Sequence, residues 1–228
     1  MDKLWYLSQI KILDNLPKDE LMQIDQLNAI EHFQLIPKNT IIQKPDQARN
    51  ELFFVKKGKL KLYKVNEAGK QLTVGILSEG NMFGELESLS LGTKQVFIET
   101  IEDSLICSMS ESQFQALLLR HPQLALKFLR ALSDRLNESE RLIEQLTLRD
   151  LRGKIVYMLV VLGTRFGVPQ GEYVRIDLPL SHQEIANMIG ATREAVSTVI
   201  RDLAEEGIVK TGRLSVQIAA SAMQALTP

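Results

Sequence analysis

The residues best suited to chemistry lie in one short stretch, ATREAVSTVIRDL, at positions 191–203. Arg193 and Glu194 are adjacent, and Ser197 and Arg201 follow one and two helical turns later. Arginine carries paired donors that match guanine O6 and N7, and a carboxylate accepts from the amino group of cytosine. The stretch therefore has two interpretations: a solvated surface helix, or a helix that reads base edges in the major groove.

The residues around this stretch predict a helix, a tight turn and a second helix. Ser181 caps the first helix, with a glutamate three positions later as in a capping box. Gly190 permits the turn, and Thr192 caps the second helix. This spacing is typical of a helix–turn–helix. EEGIVKTGRLSVQI then predicts two short strands around Gly212, the wing of a winged helix.

The sequence pattern of the first half of the chain is typical of a β-roll. From about Phe33, segments of four to eight residues are separated by glycines, and KLKLYKV alternates apolar and polar residues. NEAG (66–69) and SEGN (78–81) are turn signals. The pattern predicts a small barrel or jelly roll over about 32–108. A short helix is predicted before it, over 14–30.

Helical spacing returns at Ser110, whose partner Gln113 completes a second capping-box pattern. A long helix is predicted to start at Pro122. Its 4-3-4-3 seam comprises Ala125, Leu129, Leu132, Leu136, Ser139, Ile143 and Leu146. This seam predicts a coiled-coil pair, whereas a second apolar line (Leu124, Phe128, Leu142) would pack on the helix's own domain. A further helix over 150–166, a loop at 167–172 and a strand YVRIDL complete the prediction.

Composition sets broad limits. The chain has 228 residues, a formal net charge of −1 and one cysteine, which forms no disulfide within the chain. From Leu148 onward there are 9 Lys/Arg against 8 Asp/Glu, so DNA binding would depend on local placement of charge. No apolar segment is long enough to cross a bilayer and no signal peptide is evident, so we expect a cytoplasmic protein without membrane contact.

The order of these elements resembles the CRP/FNR family of bacterial transcription regulators. The most specific match is LSHQEIANMIGATREAVSTVIRDL, and MFGEL (82–86) matches the front of the family's effector cassette. RDLRGKIVYMLVVLGTRFGVP looks closest to the cyanobacterial nitrogen-control branch. The resemblance implies an α+β fold with three parts: an N-terminal antiparallel, cyclic-nucleotide-binding-like β-roll (1–110), a dimerisation segment (111–147) and a C-terminal winged helix–turn–helix (148–228).

The resemblance also implies a function. It implies a homodimer that binds palindromic double-stranded DNA, contacts RNA polymerase through exposed loops such as 163–172, and has no enzymatic activity. Its two recognition helices would sit about 34 Å apart. The expected DNA contacts are Arg193 and Glu194 on base edges, Ser197 on a base or a thymine methyl, Arg201 on the backbone, and Ser181, Gln183 and Thr192 on phosphates. At Thr198 the family often has a third base-reading arginine.

The effector cassette is expected at Gly84, Glu85 and Leu86, with Glu85 where the family holds a ribose. Members that bind cyclic AMP follow this segment with an Arg-Ser or Arg-Thr pair that clamps the cyclic phosphate, but Gln95 and Val96 occupy those positions here. No arginine lies between Arg49 and Arg120, which argues against cyclic AMP.

Two alternatives remain for control of the regulator. Nitrogen-control members bind 2-oxoglutarate with helix residues that Arg135 and Glu140 match here, although the cassette arginine is missing. Ser139 is either a register device in the seam or part of a ligand site. A ligand-independent regulator controlled by its abundance is the other alternative.

No cofactor or metal is expected. An iron–sulfur cluster needs several cysteines, and Cys107 is interpreted as a buried strand residue. Haem would need an axial ligand, and His121 and His182 are interpreted as structural. An enzyme built on the β-roll would need two or three converging His or carboxylate ligands, but only His32 lies at the edge of the roll. A sensor that acts on a protein partner without DNA is the third functional class considered.

Overall fold

The computed structural model describes Met22, residues 31–45, Gln47 and residues 50–226. The helix predicted over 14–30 lies outside the described residues, apart from Met22. The described residues fall into two compact units, one drawn from Met1–Asn66 and Val74–Asn137, the other from Glu67–Thr73 and Glu138–Pro228.

The predicted roll is confirmed as two four-stranded antiparallel sheets. The first has the order β1-β8-β3-β6 and the second the order β2-β7-β4-β5. The strands are β1 (Glu31–Ile36), β2 (Ile41–Gln43), β3 (Glu51–Lys57), β4 (Leu60–Val65), β5 (Gln71–Leu77), β6 (Met82–Glu85), β7 (Phe97–Thr100) and β8 (Ser104–Ser110). The two predicted turns at 66–69 and 78–81 connect β4 to β5 and β5 to β6.

Alternation along the strands gives the first sheet two buried faces. Val55 on β3 and Ile106 on β8 point into the roll, where they pack with side chains from the second sheet such as Leu62 and Ile98. Their neighbours Phe54 and Cys107 point to the opposite face, which is covered by helices. The prediction that Cys107 is a buried strand residue is confirmed, because its exposed fraction is 1%.

Two helices follow the roll: α1 (Glu111–Arg120) and α2 (Gln123–Leu148). The capping box at Ser110 and Gln113 is present in both directions. Leu124 and Phe128 on α2 are buried against the roll, as the second apolar line predicts. On the predicted seam, Leu132 is half-buried against the same core, whereas Leu129, Leu136 and Ile143 are exposed by 61%, 60% and 65% within this chain.

The second unit contains the winged helix. Its elements after α2 are α3 (Leu151–Phe166), β9 (Gly167–Gln170), β10 (Tyr173–Ile176), α4 (His182–Ile189), α5 (Arg193–Glu205), β11 (Val209–Gly212), β12 (Ser215–Ala219) and α6 (Ala220–Leu226). The sheet order is β11-β12-β10-β9. The predicted wing is thus confirmed as the hairpin of β11 and β12.

The prediction of a loop over 167–172 is wrong. Residues 167–170 form β9, which pairs antiparallel with β10, because the segment can satisfy its backbone hydrogen bonds on that strand. The proline and glycines that suggested a loop are compatible with an edge strand and its turn. The wider loop expected at 163–172 is likewise corrected, since residues 163–166 end α3 and Gly163 and Phe166 are buried. Within this stretch, Thr164, Arg165 and residues 168–172 are exposed.

Within the described residues, no helix is both long and apolar enough to cross a membrane.

Candidate nucleic-acid interface

Helices α4 and α5 begin at the two residues predicted to cap them. The Ser181 hydroxyl accepts from the main-chain N–H of Glu184 at 3.1 Å, and the Thr192 hydroxyl accepts from that of Ala195 at 3.3 Å. Gly190, between the helices, has a φ of 72°, in the left-handed region that favours glycine. The sequence therefore fixes the turn through two side-chain caps and one glycine.

The two faces of α5 differ sharply. Val196, Ile200 and Leu203 are exposed by 2% or less and anchor the helix in the unit. Arg193 and Glu194 are exposed at its first turn. In the described part of the chain, neither of these two side chains makes an ion pair or a hydrogen bond. The paired donors of the guanidinium and the acceptors of the carboxylate therefore all face solvent.

A hydrogen-bonded bridge joins α4 to α5. The Ser197 hydroxyl donates to the main-chain carbonyl of Arg193 at 2.8 Å. His182 Nδ1 lies 2.8 Å from the same hydroxyl oxygen. Because the single hydroxyl proton is used on the carbonyl, Nδ1 carries the proton and donates to Ser197. This bridge supports the prediction that His182 is structural.

The side chains of Gln183 and Arg201 each contact a polar side chain of their own helix. Gln183 is exposed on the first turn of α4, and its amide donates to Asn187 at 2.8 Å. Arg201 is exposed, and its Nε lies 3.9 Å from Asp202. The structure therefore brings Arg193, Glu194 and Arg201 onto exposed positions of one helix and places Ser181, Gln183 and Thr192 at or beside two helix N-termini.

Two contacts stabilise the framework around this helix pair. Arg152 on α3 makes a two-pronged ion pair with Glu206, which follows α5, at 2.8 and 2.6 Å. The hydrogen bonds that Arg152 donates to the Glu206 carboxylate raise the pKa of the Arg152 guanidinium. On the wing, the Lys210 ammonium lies 3.9 Å from the centre of the Tyr173 ring, whose hydroxyl donates to the Gly207 carbonyl.

The predicted effector cassette lies at the end of β6. Gly84 has a φ of 122°, and a Cβ there would lie 2.2 Å from the Glu51 carbonyl oxygen. This close approach explains the glycine. Glu85 and Leu86 follow, and they are exposed by only 9% and 7%. These three consecutive residues thus lie at the end of β6, close to β3.

A buried polar cluster surrounds the Glu85 carboxylate. Its Oε1 accepts from the Thr93 main-chain N–H at 2.6 Å and from the Thr93 hydroxyl at 2.8 Å. The Gln43 amide donates to the Thr93 carbonyl at 2.5 Å. Sequence reasoning missed Thr93 and Gln43, because no spacing rule connects Glu85 to a threonine eight residues later across a turn. The only signals in the sequence were the hydroxyl of Thr93 and the amide of Gln43, at positions that the structure shows to be buried.

The two positions expected to correspond to the family's phosphate clamp carry no cation. Gln95 is exposed, and Val96 is exposed by only 1% and belongs to the core of the roll. Of the helix residues, Arg135 is half-buried and Ser139 and Glu140 are exposed on α2. Arg135 belongs to the same compact unit as the cassette, and Ser139 and Glu140 belong to the other.

Residues 31–45, 47 and 50–226 contain no group of three His, Cys, Asp or Glu side chains arranged to hold a metal ion.

Comparison with known proteins identifies both halves of this arrangement. Residues 33–121 match the cyclic nucleotide-binding domain and residues 153–226 match the Crp-like helix-turn-helix domain. A sensor-type roll joined to a winged helix–turn–helix defines a DNA-binding transcription regulator. The chain is 33% identical to the global nitrogen regulator of Nostoc sp., over 79% of this chain and 82% of that protein. It belongs to the CRP/FNR family of transcription regulators.

More distant relatives share the architecture. The cyclic AMP receptor protein of Thermus thermophilus is 29% identical over 86% of this chain and 88% of its own. Among solved structures, a CooA mutant from Carboxydothermus hydrogenoformans superposes with a TM-score of 0.72 and 25% identity, over 88% of this chain and 89% of that chain. CLP of Xanthomonas campestris gives a TM-score of 0.74 at 21% identity, covering 87% and 99%, and shows the fold alone.

Proposed function

We propose that this regulator acts in the cytoplasm as a homodimer that binds a palindromic DNA site through α5. The observation that carries the proposal is the exposed Arg193–Glu194 pair at the start of a capped helix. A surface helix that only needed solubility would gain from pairing such charges along its length. Here the guanidinium and the carboxylate make no hydrogen bond or ion pair within the described residues, and their donors and acceptors match base edges.

Each predicted DNA-contacting residue has a role in this proposal. Arg193 donates to guanine and Glu194 accepts from cytosine. Ser181, Gln183 and Thr192 stand at helix starts, where hydroxyl, amide and main-chain N–H groups hold phosphates. Arg201 reaches the backbone further along the groove. Ser197 lies between α4 and α5 and holds the recognition helix in place.

The exposed seam of α2 supports the dimer. Leu129, Leu136 and Ile143 recur at heptad spacing and are at least 60% exposed in the single chain. Burying one leucine stabilises an association by about 1.5–3 kcal/mol, so a paired seam compensates for the entropy of joining two chains. Two such chains would place their recognition helices about one turn of B-DNA apart, roughly 34 Å.

The cassette supports a regulator that does not respond to cyclic AMP. A cyclic phosphate would meet Gln95 and Val96 instead of a guanidinium, and the Glu85 carboxylate already accepts two hydrogen bonds from Thr93. The missing guanidinium and the engagement of Glu85 Oε1 favour control by abundance. Control by 2-oxoglutarate is the second candidate, with Arg135, Ser139 and Glu140 as its residues, because the nitrogen regulator of Nostoc sp. is a relative.

The short junction between α2 and α3 would serve as the hinge. Helix α2 ends at Leu148, and Asp150 caps α3 by accepting from the Gly153 N–H at 2.8 Å. An effector would act by favouring one arrangement of the DNA-binding domains over another. The exposed residues 168–172 are the surface that we assign to RNA polymerase.

Two matched substitutions test the dimer. Leu136 and Leu126 lie on the same helix and are exposed by 60% and 62%, but only Leu136 is on the seam. We expect Leu136→Lys to weaken dimerisation at least a hundredfold in analytical ultracentrifugation, because two seam leucines are lost per dimer. Leu126→Lys should leave the dimer intact. A wild-type chain that is monomeric at micromolar concentration, or equal effects of both substitutions, would overturn the proposed dimer.

A further inference from the structure

The third base-reading position of α5 carries a threonine, and its hydrogen bonding shows which part of that side chain is available to DNA. Thr198 is exposed and lies one helical turn after Glu194. Residues four apart share a face of a helix, so the two side chains would meet neighbouring base pairs. This inference rests on the proposed function, in which α5 occupies the major groove.

The Thr198 hydroxyl is already used within the helix. It donates to the main-chain carbonyl of Glu194 at 3.2 Å. Its only proton is therefore not available to a base acceptor such as guanine O6 or thymine O4. The γ-methyl occupies a different staggered position on the same Cβ and is the apolar group that remains for contact.

The hydroxyl of the neighbouring residue, Ser197, also makes hydrogen bonds within the protein. Ser197 donates to the Arg193 carbonyl at 2.8 Å and accepts from His182 Nδ1 at 2.8 Å. It is half-buried between α4 and α5 and has no methyl group. Ser197 therefore has the contacts of a positioning residue, which holds the carbonyl of the first turn and the start of α4 together. Ala195 is half-buried and Val196 is buried, so among residues 194–198 the exposed side chains are those of Glu194 and Thr198, and we assign them to the bases next to the Arg193 contact.

We infer that Thr198 reads a thymine through contact between its γ-methyl and the thymine 5-methyl group, at the base pair adjacent to the one that Glu194 reads. Methyl contact is an established mode of direct readout in the major groove. The half-site therefore contains one thymine that is recognised without any hydrogen bond from the protein. Ser197 contributes to affinity through the geometry of α5 and does not select a base.

Replacement of single thymines in the half-site tests the methyl contact directly. After the preferred site is selected from random DNA, each thymine is replaced in turn by deoxyuridine, which lacks only the 5-methyl group. We expect one position per half-site at which this change weakens binding of the full-length wild type about fourfold, the effect of losing one buried methyl-sized group.

Two variants at one position assign the contact to Thr198. Thr198→Ser keeps the hydroxyl and removes the methyl, so the deoxyuridine effect should disappear at that position. Thr198→Val keeps a methyl in the same place and removes the hydroxyl, so the effect should persist. Both variants should fold, because Thr198 is exposed and makes one hydrogen bond within its own helix.

Ser197→Ala separates positioning from reading. It should lower affinity by a similar factor on every single-base variant of the half-site, leaving the preference profile unchanged. A profile that flattens at one base pair would show instead that Ser197 reads a base.

The inference fails if no thymine is sensitive to loss of its methyl, or if Thr198→Ser remains as sensitive as the wild type. It also fails if the half-site has no thymine beside the base pair that depends on Glu194. The proposed function itself fails at an earlier stage, if the wild-type chain selects no sequence from random DNA.

Discussion

Oxygen Oε1 of Glu85 accepts two hydrogen bonds from Thr93, one from the main-chain N–H at 2.6 Å and one from the hydroxyl at 2.8 Å. Thr93 is fully buried and Glu85 is exposed by 9%. A buried carboxylate needs such donors, because its desolvation is otherwise uncompensated. One oxygen of the carboxylate that would receive an effector's hydroxyl group therefore already has two donors from the chain itself.

Thr93→Val tests the value of this contact to folding. Valine has nearly the same shape and lacks the hydroxyl, so Glu85 loses one donor in a buried setting. We expect the free energy of unfolding to fall by about 1–3 kcal/mol, measured by urea denaturation.

Thr73→Val is the matched control. The Thr73 hydroxyl is also buried, but it has no hydrogen-bond partner among the described residues. Removing it should leave stability unchanged or raise it slightly, because an unsatisfied polar group is lost. Equal destabilisation by the two substitutions would contradict the contacts assigned to Thr93.

Gly84→Ala tests the backbone of the cassette. Its φ of 122° disfavours any side chain, at a cost of about 1–3 kcal/mol, and the new Cβ would overlap the Glu51 carbonyl. We expect a large drop in the urea midpoint or failure to accumulate as folded protein. Gly92→Ala is the control, because Gly92 has a φ of 70° but open space around it. If both alanine variants were equally stable, β3 and β6 would not approach each other as closely as described.

Glu111 links α1 to the segment after the cassette and predicts a pH dependence. Its carboxylate accepts from the main-chain N–H of Glu87 at 3.0 Å and of Ser88 at 3.3 Å. Hydrogen bonds from Ser88 and Glu87 lower its pKa from the ordinary value of 4.5. Because the pKa is lower in the folded state, the stabilisation is present above pH 4.5 and is lost as the pH falls through the lowered value.

Glu111→Gln should remove this stabilisation at neutral pH. The difference in urea midpoint between the variant and wild type should be constant above about pH 5 and shrink at lower pH. Glu67→Gln, on the β4–β5 turn, controls for the loss of one surface charge. A wild-type advantage that grows as the pH falls would have the wrong sign for this account.

The sequence predicted the elements whose signals are local. Caps at Ser110, Ser181 and Thr192 and the turn at Gly190 depend on residues three or four apart, and all four are confirmed. The strand at 167–170 was missed because pairing with β10 outweighs local turn preference. Proline and glycine disfavour a helix or a central strand, but an edge strand tolerates both residues.

The candidate site was predictable only in part. The exposed charge pair at 193–194 is visible from helical periodicity. The bridge from His182 to Ser197 joins residues fifteen positions apart across a turn, and the cluster of Gln43, Glu85 and Thr93 joins separate strands and a loop. Such contacts depend on tertiary packing, which no spacing rule specifies.

Selection of binding sites from random DNA by the full-length wild type and by Arg193→Ala tests the central claim most directly. We predict that the wild type enriches an inverted repeat whose half-sites are centred about 10 base pairs apart. Arg193→Ala should lose the preference for one guanine in each half-site, at a cost of about 1–3 kcal/mol, and keep the other positions. Enrichment of the same sequence by both proteins, or of no inverted repeat by the wild type, would contradict the account.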